Sequence, residues 1–503
     1  MKQKRFLSAL LAGILTLGTL AACASDDTVS EDTTASETTA APVETVPVET
    51  EPLETGRADA KDSLPDDLNL DGMTVHIHSF ASEDYDILGK GEESGDVVFD
   101  AVYARTRSVA ERLNANIIWS DSEHQKWQDF SASLEKTIMA GDDAWQMVFA
   151  QGNSTIQSGR DHLFMDLSDA KYLDYSQPWW WNEAMNEISF DGQVRRYLIG
   201  DIALTNFLRA GCVYFNKNMY ADILGEPDDL YQTVIDGAWT LDKMSEIASV
   251  AYQDVNGNGE VDDGDIYGYY FGDKNYLVHM DYAMDVQRYY RNEEGYPVVE
   301  YDAERAQLAV DKLNKLLHQT IGCRFSTTTV GAASFTSRQT FFFGNQLYAA
   351  VSANLRDMED DYGIIPFPKL DEAQENYLNL LFNSSSVVTI PITCQSPDEV
   401  GAVIEAMCAE SYRSVVEVFY ETALKTKYSR DSYSGQCIDI IRNVTRKNLV
   451  YEYNQQIGRP SLLITDCVSA NESNLASKIA STVPSANKII EKKIAAMEKE
   501  KAQ

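Results

Sequence analysis

Met73-Thr74-Val75-His76-Ile77-His78-Ser79-Phe80 alternates apolar and polar side chains with period two, the pattern of a strand with one buried face. Downstream, Asp100 to Ala115 carries apolar residues at helical spacing, and Asn116-Ile117-Ile118-Trp119 returns to a strand. Trp127 to Met139 reads as a helix, and Ala144-Trp145-Gln146-Met147-Val148-Phe149-Ala150 as a buried strand. Strand, helix, strand, helix, strand in close succession predicts right-handed crossovers onto a parallel sheet, an α/β fold. No Gly-x-Gly-x-x-Gly follows the first strand, so a dinucleotide-binding version has no support.

A second unit follows. Gly211 to Lys217 reads as a strand running into a helix, and Trp239-Thr240-Leu241-Asp242 opens another helix with Thr240 as its N-cap. Glu304 to Gln319 predicts a long amphipathic helix. Leu347 to Ser352, Asp361 to Pro368 and Ser386 to Pro391 predict strands, and Ala486 to Lys499 a terminal amphipathic helix. No period of about 20–50 residues repeats, which excludes solenoids and propellers.

Composition narrows the function. The 503 residues carry 78 acidic and 42 basic side chains, a net charge of −36. Such a chain would have to neutralise a like charge to bind nucleic acid through phosphates, and anionic head groups repel it. Aromatics at 10% are ample for a packed core.

The N-terminus predicts export. Lys2, Lys4 and Arg5 precede an apolar stretch from Phe6 to Leu20, followed by Leu20-Ala21-Ala22-Cys23. Residues 1–22 read as a lipoprotein signal peptide, with Cys23 the acylated residue and acyl chains such as palmitate holding the protein on the outer face of the cell membrane. Residues 23–65 contain no aromatic side chain and are rich in Thr, Glu, Asp, Ala and Pro, so they are expected to be a disordered tether. About 42 such residues would reach on the order of 35–40 Å. The cysteines after Cys23 form no Cys-x-x-Cys pair and are expected to be mostly buried thiols.

Several strings carry a resemblance: Gln177-Pro178-Trp179-Trp180-Trp181-Asn182, Gly200-Asp201-Ile202, Val213-Tyr214-Phe215-Asn216-Lys217, Gly237-Ala238-Trp239-Thr240-Leu241-Asp242-Lys243, and Gly363-Ile364-Ile365-Pro366-Phe367-Pro368-Lys369-Leu370-Asp371. In order and spacing they resemble the carbohydrate-type solute-binding proteins of ABC importers, of the maltodextrin-binding type. The resemblance implies a two-lobed periplasmic-binding-protein type II fold with discontinuous lobes, a hinge of two or three strands and the ligand in the cleft. Mapped here, it places residues 70–205 and 350–392 in lobe one, and 206–349 and 393–503 in lobe two. It also implies a monomer that captures an oligosaccharide and delivers it to a separate ABC permease.

A pyranose offers an apolar face for ring stacking and a rim of hydroxyls for polar side chains. Trp179, Trp180 and Trp181 form the densest aromatic cluster. Three adjacent side chains cannot all point one way, so one or two face the cleft or they plug the core at the helix start after Pro178. Ligands of open α/β sheets sit at strand C-termini. That rule makes Phe80, Asp84, Gln151 and Asn153 further ligand candidates; Tyr270 and Phe271, which follow Gly268, and Asn383, which lies before the strand at Ser386, join them.

Asp254-Val255-Asn256-Gly257-Asn258-Gly259-Glu260-Val261-Asp262-Asp263-Gly264-Asp265 has the spacing of a calcium-binding loop. Asp254, Asn256, Asn258, Asp262 and Asp265 would offer side-chain oxygens, and Glu260 its backbone carbonyl. Asp265 stands where such loops usually carry a bidentate Glu, and a strand is expected to follow. The expected cofactor is one structural Ca²⁺.

His-Glu-x-x-His, Gly-x-Ser-x-Gly and phosphate-loop motifs are absent, so an enzyme is not expected. The rival readings are a binding protein for a peptide or other solute, a glycan-binding adhesin, and a glycoside hydrolase.

Overall fold

Two separate sheets organise the body. The computed structural model describes residues 56–80, 86, 91–326, 331–351, 355, 358–420 and 432–501. Cys23 and Asp84 lie outside the described residues.

The first sheet holds strands β1 (Thr74–Ser79), β2 (Asn116–Asp121) and β3 (Met147–Gln151), together with β12 (Ser386–Thr389), in the order β12-β3-β1-β2. Strands β1, β2 and β3 pair in parallel as the alternation predicts, and β12 joins antiparallel to β3. Helices α1 (Val97–Leu113) and α2 (Trp127–Met139) make the crossovers. Asp96 caps α1, its carboxylate accepting from the Val98 and Phe99 N–H groups.

The second sheet, in the order β10-β4-β9-β5-β8, holds β4 (Gly211–Asn216), β5 (Tyr267–Gly272), β8 (Cys323–Ser326), β9 (Thr340–Gln346) and β10 (Tyr362–Ile365). A hairpin of β6 (Tyr289–Arg291) and β7 (Pro297–Val299) and a short pair of β11 (Asn379–Leu380) with Thr445–Arg446 complete the strands used here. Thr240 caps the helix Leu241–Ala251 as its position in the sequence suggests.

Three expectations need correction. Tyr348–Val351 is helical, and the strand lies just before it at Thr340–Gln346. A short apolar run has no periodicity of its own, and the antiparallel pairing of β9 with β4 selects the Phe-rich stretch instead. Residues 350–392 do not belong wholly to lobe one, because β10 pairs antiparallel with β4 in the second sheet. Conversely, the helix Pro397–Glu410, expected in lobe two, packs on α1. Finally, residues 56–65 belong to the packed body. Asp62 takes a two-point bond from Arg112, Arg57 stacks on Tyr412 at 3.8 Å, and Leu64 is buried.

The chain passes between sheets around Thr205 and again before Ser386. Asp86 ties these crossings together: its carboxylate accepts from Thr205 N–H (2.9 Å), Thr205 Oγ1 (2.7 Å) and Ser386 Oγ (2.6 Å). One residue earlier, Ser385 Oγ accepts from Lys447 Nζ at 2.7 Å, and Lys447 is paired at 2.6 Å with Glu452. Both side chains of that pair are fully buried. Breaking a buried pair strands a charge and costs about 3–5 kcal/mol. Lys447→Met should lower urea-unfolding stability by about that amount, and Lys447→Met with Glu452→Leu should recover most of it. Equal loss in the single and double variants would refute the pairing argument.

Candidate functional site

The C-terminal ends of β3 and β5 face a common cavity of ≈ 440 Å³. Its floor is the turn after β3. Gly152 N–H donates to Ser385 O (3.0 Å) and Asn153 N–H to Asn383 O (2.8 Å), so the turn is fastened to the segment leading into β12. A Cβ at Gly152 would stand 3.0 Å from Glu452 Oε2 and 3.2 Å from Asn383 O, which leaves little room for any other residue. The side-chain oxygen Oδ1 of Asn153 is buried without a hydrogen-bond partner, and so is Glu452 Oε2 beneath the turn.

The opposite wall follows β5. Asp273 takes a positive φ of 78° and caps the helix Lys274–Ala283, accepting from Asn275 N–H at 2.9 Å. The cap turns Lys274, Asn275 and Tyr276 into the cavity. A third wall comes from the C-terminal part of the chain, with Tyr451, Asn454, Gln455 and Arg459. Asn454 Oδ1 is fixed by Ser461 Oγ at 2.6 Å, and Arg459 lies 3.8 Å from Asp466. Trp127, at the start of α2, supplies the large ring of lobe one.

Amides dominate this lining: Asn153, Gln157, Asn275, Asn383, Asn454 and Gln455. Each offers both donor and acceptor, the complement of a hydroxyl group. The charged residues balance, with Asp273 and Asp466 against Lys274 and Arg459. Burial raises the phenol pKa of Tyr276 and lifts that of Tyr451 far above its ordinary value, so both keep their O–H at neutral pH.

Of the ligand candidates from sequence, the cavity gathers Asn153 and Asn383. Gln151 closes β3 and its carbonyl accepts from Ser154 Oγ (2.7 Å). Phe80 stacks on Phe130 at 4.9 Å inside lobe one. Phe271 is buried against Phe325, and Tyr270 lies beside Tyr267 and Arg324. Trp179 and Trp180 are core residues whose indole N–H groups grip the two oxygens of Glu405, at 3.1 and 3.0 Å. Burial pushes the Glu405 carboxyl up to about 7, against these N–H bonds, which favour its charged form. Trp181 donates to Asp201 at 2.9 Å and is half-buried. Sequence reading missed the walls at Asp273–Tyr276 and 451–466. The loop after Gly272 was detectable as a strand end, whereas the C-terminal wall carries no local motif.

The acidic loop at 254–265 is braced internally. Asp254 accepts from Gly257 N–H (2.7 Å) and Gly259 N–H (2.8 Å), and Asp262 from Gly264 N–H (3.0 Å). Asn256 and Asn258 direct their amide N–H₂ groups to Asp262. Asp265 is buried and holds Tyr252 Oη at 2.8 Å and Asp262 N–H at 3.0 Å. Among the described residues no three His, Cys, Asp or Glu side chains converge as a metal site. β5 follows the loop, in line with the expected strand.

No family model and no curated protein matches the chain. Solved structures do. The cyclic α-maltosyl-1,6-maltose binding protein from Arthrobacter globiformis aligns at 10% identity over 83% of this chain and 99% of its own, with a TM-score of 0.55. The GacH receptor of Streptomyces glaucescens, solved unliganded and with acarbose, aligns at 11% over 84% and 99%, with a TM-score of 0.53. UgpB from Mycobacterium tuberculosis, in complex with glycerophosphocholine, aligns at 11% over 86% and 99%, with a TM-score of 0.51. At such identities the likeness establishes the fold, the two-lobed periplasmic-binding-protein type II architecture.

Trp180→Ala should remove about 3–5 kcal/mol of stability in chemical denaturation, the cost of an emptied core site. Affinity for a ligand of this cavity should be unchanged in the folded variant, since Trp180 does not line it, and a selective loss would put the ring back in the binding site.

Proposed function

We propose that the chain is a lipid-anchored solute-binding protein that captures an oligosaccharide between its lobes for delivery to an ABC permease. The observation that carries the reading is the cavity at the strand ends, with six amide side chains and the rings of Trp127, Tyr276 and Tyr451 around it. Its volume falls within the roughly 300–1,000 Å³ of ligand sites. Hydroxyl groups of a sugar would pair with the amides, and the buried Asn153 Oδ1 would accept one of them. Rings supply stacking for the apolar sugar face. Closure about the crossings at Thr205 and Ser386 would bury the ligand by population shift.

Of the three solved structures aligned above, one is a cyclic α-maltosyl-1,6-maltose binding protein, one was solved with acarbose and one with glycerophosphocholine. That last ligand gives the second reading, a different polar solute. The balanced charges of the cavity favour a neutral guest. Anchoring rests on Cys23 at the end of the signal segment, with the protein on the outer face of the membrane; among the described residues no helix is long and apolar enough to cross one.

We assign the loop 254–265 to one Ca²⁺, held by Asp254, Asn256, Asn258, Asp262 and Asp265 side chains and the Glu260 carbonyl. A hard cation takes six to eight oxygens, and it would displace the amide N–H contacts now made to Asp262.

In a thermal-shift panel of neutral saccharides, glycerophosphodiesters and peptides, an oligosaccharide should raise the Tm by mass action, with no turnover. Asn153→Ala should weaken that binding about tenfold while moving the unliganded Tm little. A shift confined to peptides or phosphodiesters would select the other reading, and product formation would make the protein an enzyme. Separately, EDTA should lower the Tm and added Ca²⁺ restore it. An unchanged Tm would remove calcium from the account.

A further inference from the structure

A second cavity, of ≈ 390 Å³, lies beside Trp181 and shares no lining residue with the first. Four basic side chains line it, Arg57, Arg442, Arg446 and Lys447, against two acidic ones, Asp201 and Glu183. In a chain with 78 acidic and 42 basic residues this local excess reverses the overall sign.

The acids and two of the bases are already engaged. Asp201 accepts from the Trp181 indole, Glu183 faces Arg446 at 3.4 Å, and Lys447 is consumed by Glu452 and Ser385. Two guanidinium groups are left under-used. Arg57 is 8% exposed, and its Nη1 donates to Tyr412 O at 3.1 Å. A carboxylate oxygen of Asp201 stands 3.9 Å away, and its Nε has no acceptor among the described residues. A buried donor without a partner is costly, and native structures seldom leave one unless a ligand or water completes it. Arg442 is covered on its faces by Tyr420 (4.9 Å) and Phe207 (5.5 Å), and with Arg57 its charge acts on Asp201. Its edge N–H groups are the part of a guanidinium that meets a planar oxyanion two at a time.

Beside these donors Asn182 presents a buried Oδ1 that also lacks a partner. A ligand satisfying both would carry an oxyanion next to a hydroxyl or N–H group. Trp181, Pro178 and Leu381 supply an apolar wall for the rest of it.

We infer that this second cavity binds a small hydroxylated carboxylate, clamped by Arg57 and Arg442 with Asn182 accepting from the adjoining hydroxyl. The assignment is independent of the solute proposed for the first cavity, since it uses different residues and the opposite chemistry.

Trp181 provides the reporter. Tryptophan fluorescence of the full chain would be titrated with D-glucuronate, acetate and inorganic phosphate at fixed ionic strength. Glucuronate should give a saturable change, tighter than acetate because only it carries hydroxyls. Arg442→Gln should weaken it about tenfold, as expected for loss of a charge-assisted bond. Arg446→Gln, at an exposed position, should weaken it to a lesser degree, and Arg107→Gln, exposed on α1, should leave it unchanged. Absence of saturation with all three probes would overturn the proposal. So would binding of phosphate alone, or a glucuronate response that survives Arg442→Gln, which would place the probe in the other cavity.

Discussion

Two adjacent serines hold the molecule together where its halves meet. Ser386 reaches the buried carboxylate of Asp86, and Ser385 takes the ammonium of Lys447. The segment entering β12 is thereby bracketed by an anion on one side and a cation on the other. Neither charge is isolated: Asp86 also collects both polar groups of Thr205, and Lys447 is neutralised by Glu452. Buried ions of this kind contribute little net stability but tolerate only one arrangement of partners. That fixes the relative register of the crossings, and the floor of the cleft at Gly152 and Asn153 is fastened to the same segment.

Legibility in the sequence followed the range of the forces. The first sheet was readable because β1, α1, β2, α2 and β3 each declare themselves by period and are neighbours in the chain. The lobe boundaries were not, because β10 joins β4 across about 150 residues, by backbone pairing and contacts such as Tyr214 with Tyr362, which leave no trace in local composition. The resemblance carried the bilobal architecture further than the residue pattern did.

The candidate site divides the same way. The strand-end rule leads to Asn153, which lines the first cavity together with Asn383. Density of rings says nothing of direction, and a carboxylate from the helix Pro397–Glu410 claims two of the three indoles. No pattern near Trp179 announces Glu405, more than 200 residues away. Polar amides, the commonest lining of the cleft, look in sequence like ordinary loop residues.

The residues just after position 56 are strapped to the half built on the first sheet, through Asp62 on Arg112 and Arg413 and Arg57 on Tyr412. Any pull transmitted along the preceding chain therefore enters the body on the side of the first sheet. Such a load would reach Arg112, Arg413 and Tyr412 before it reached the second sheet.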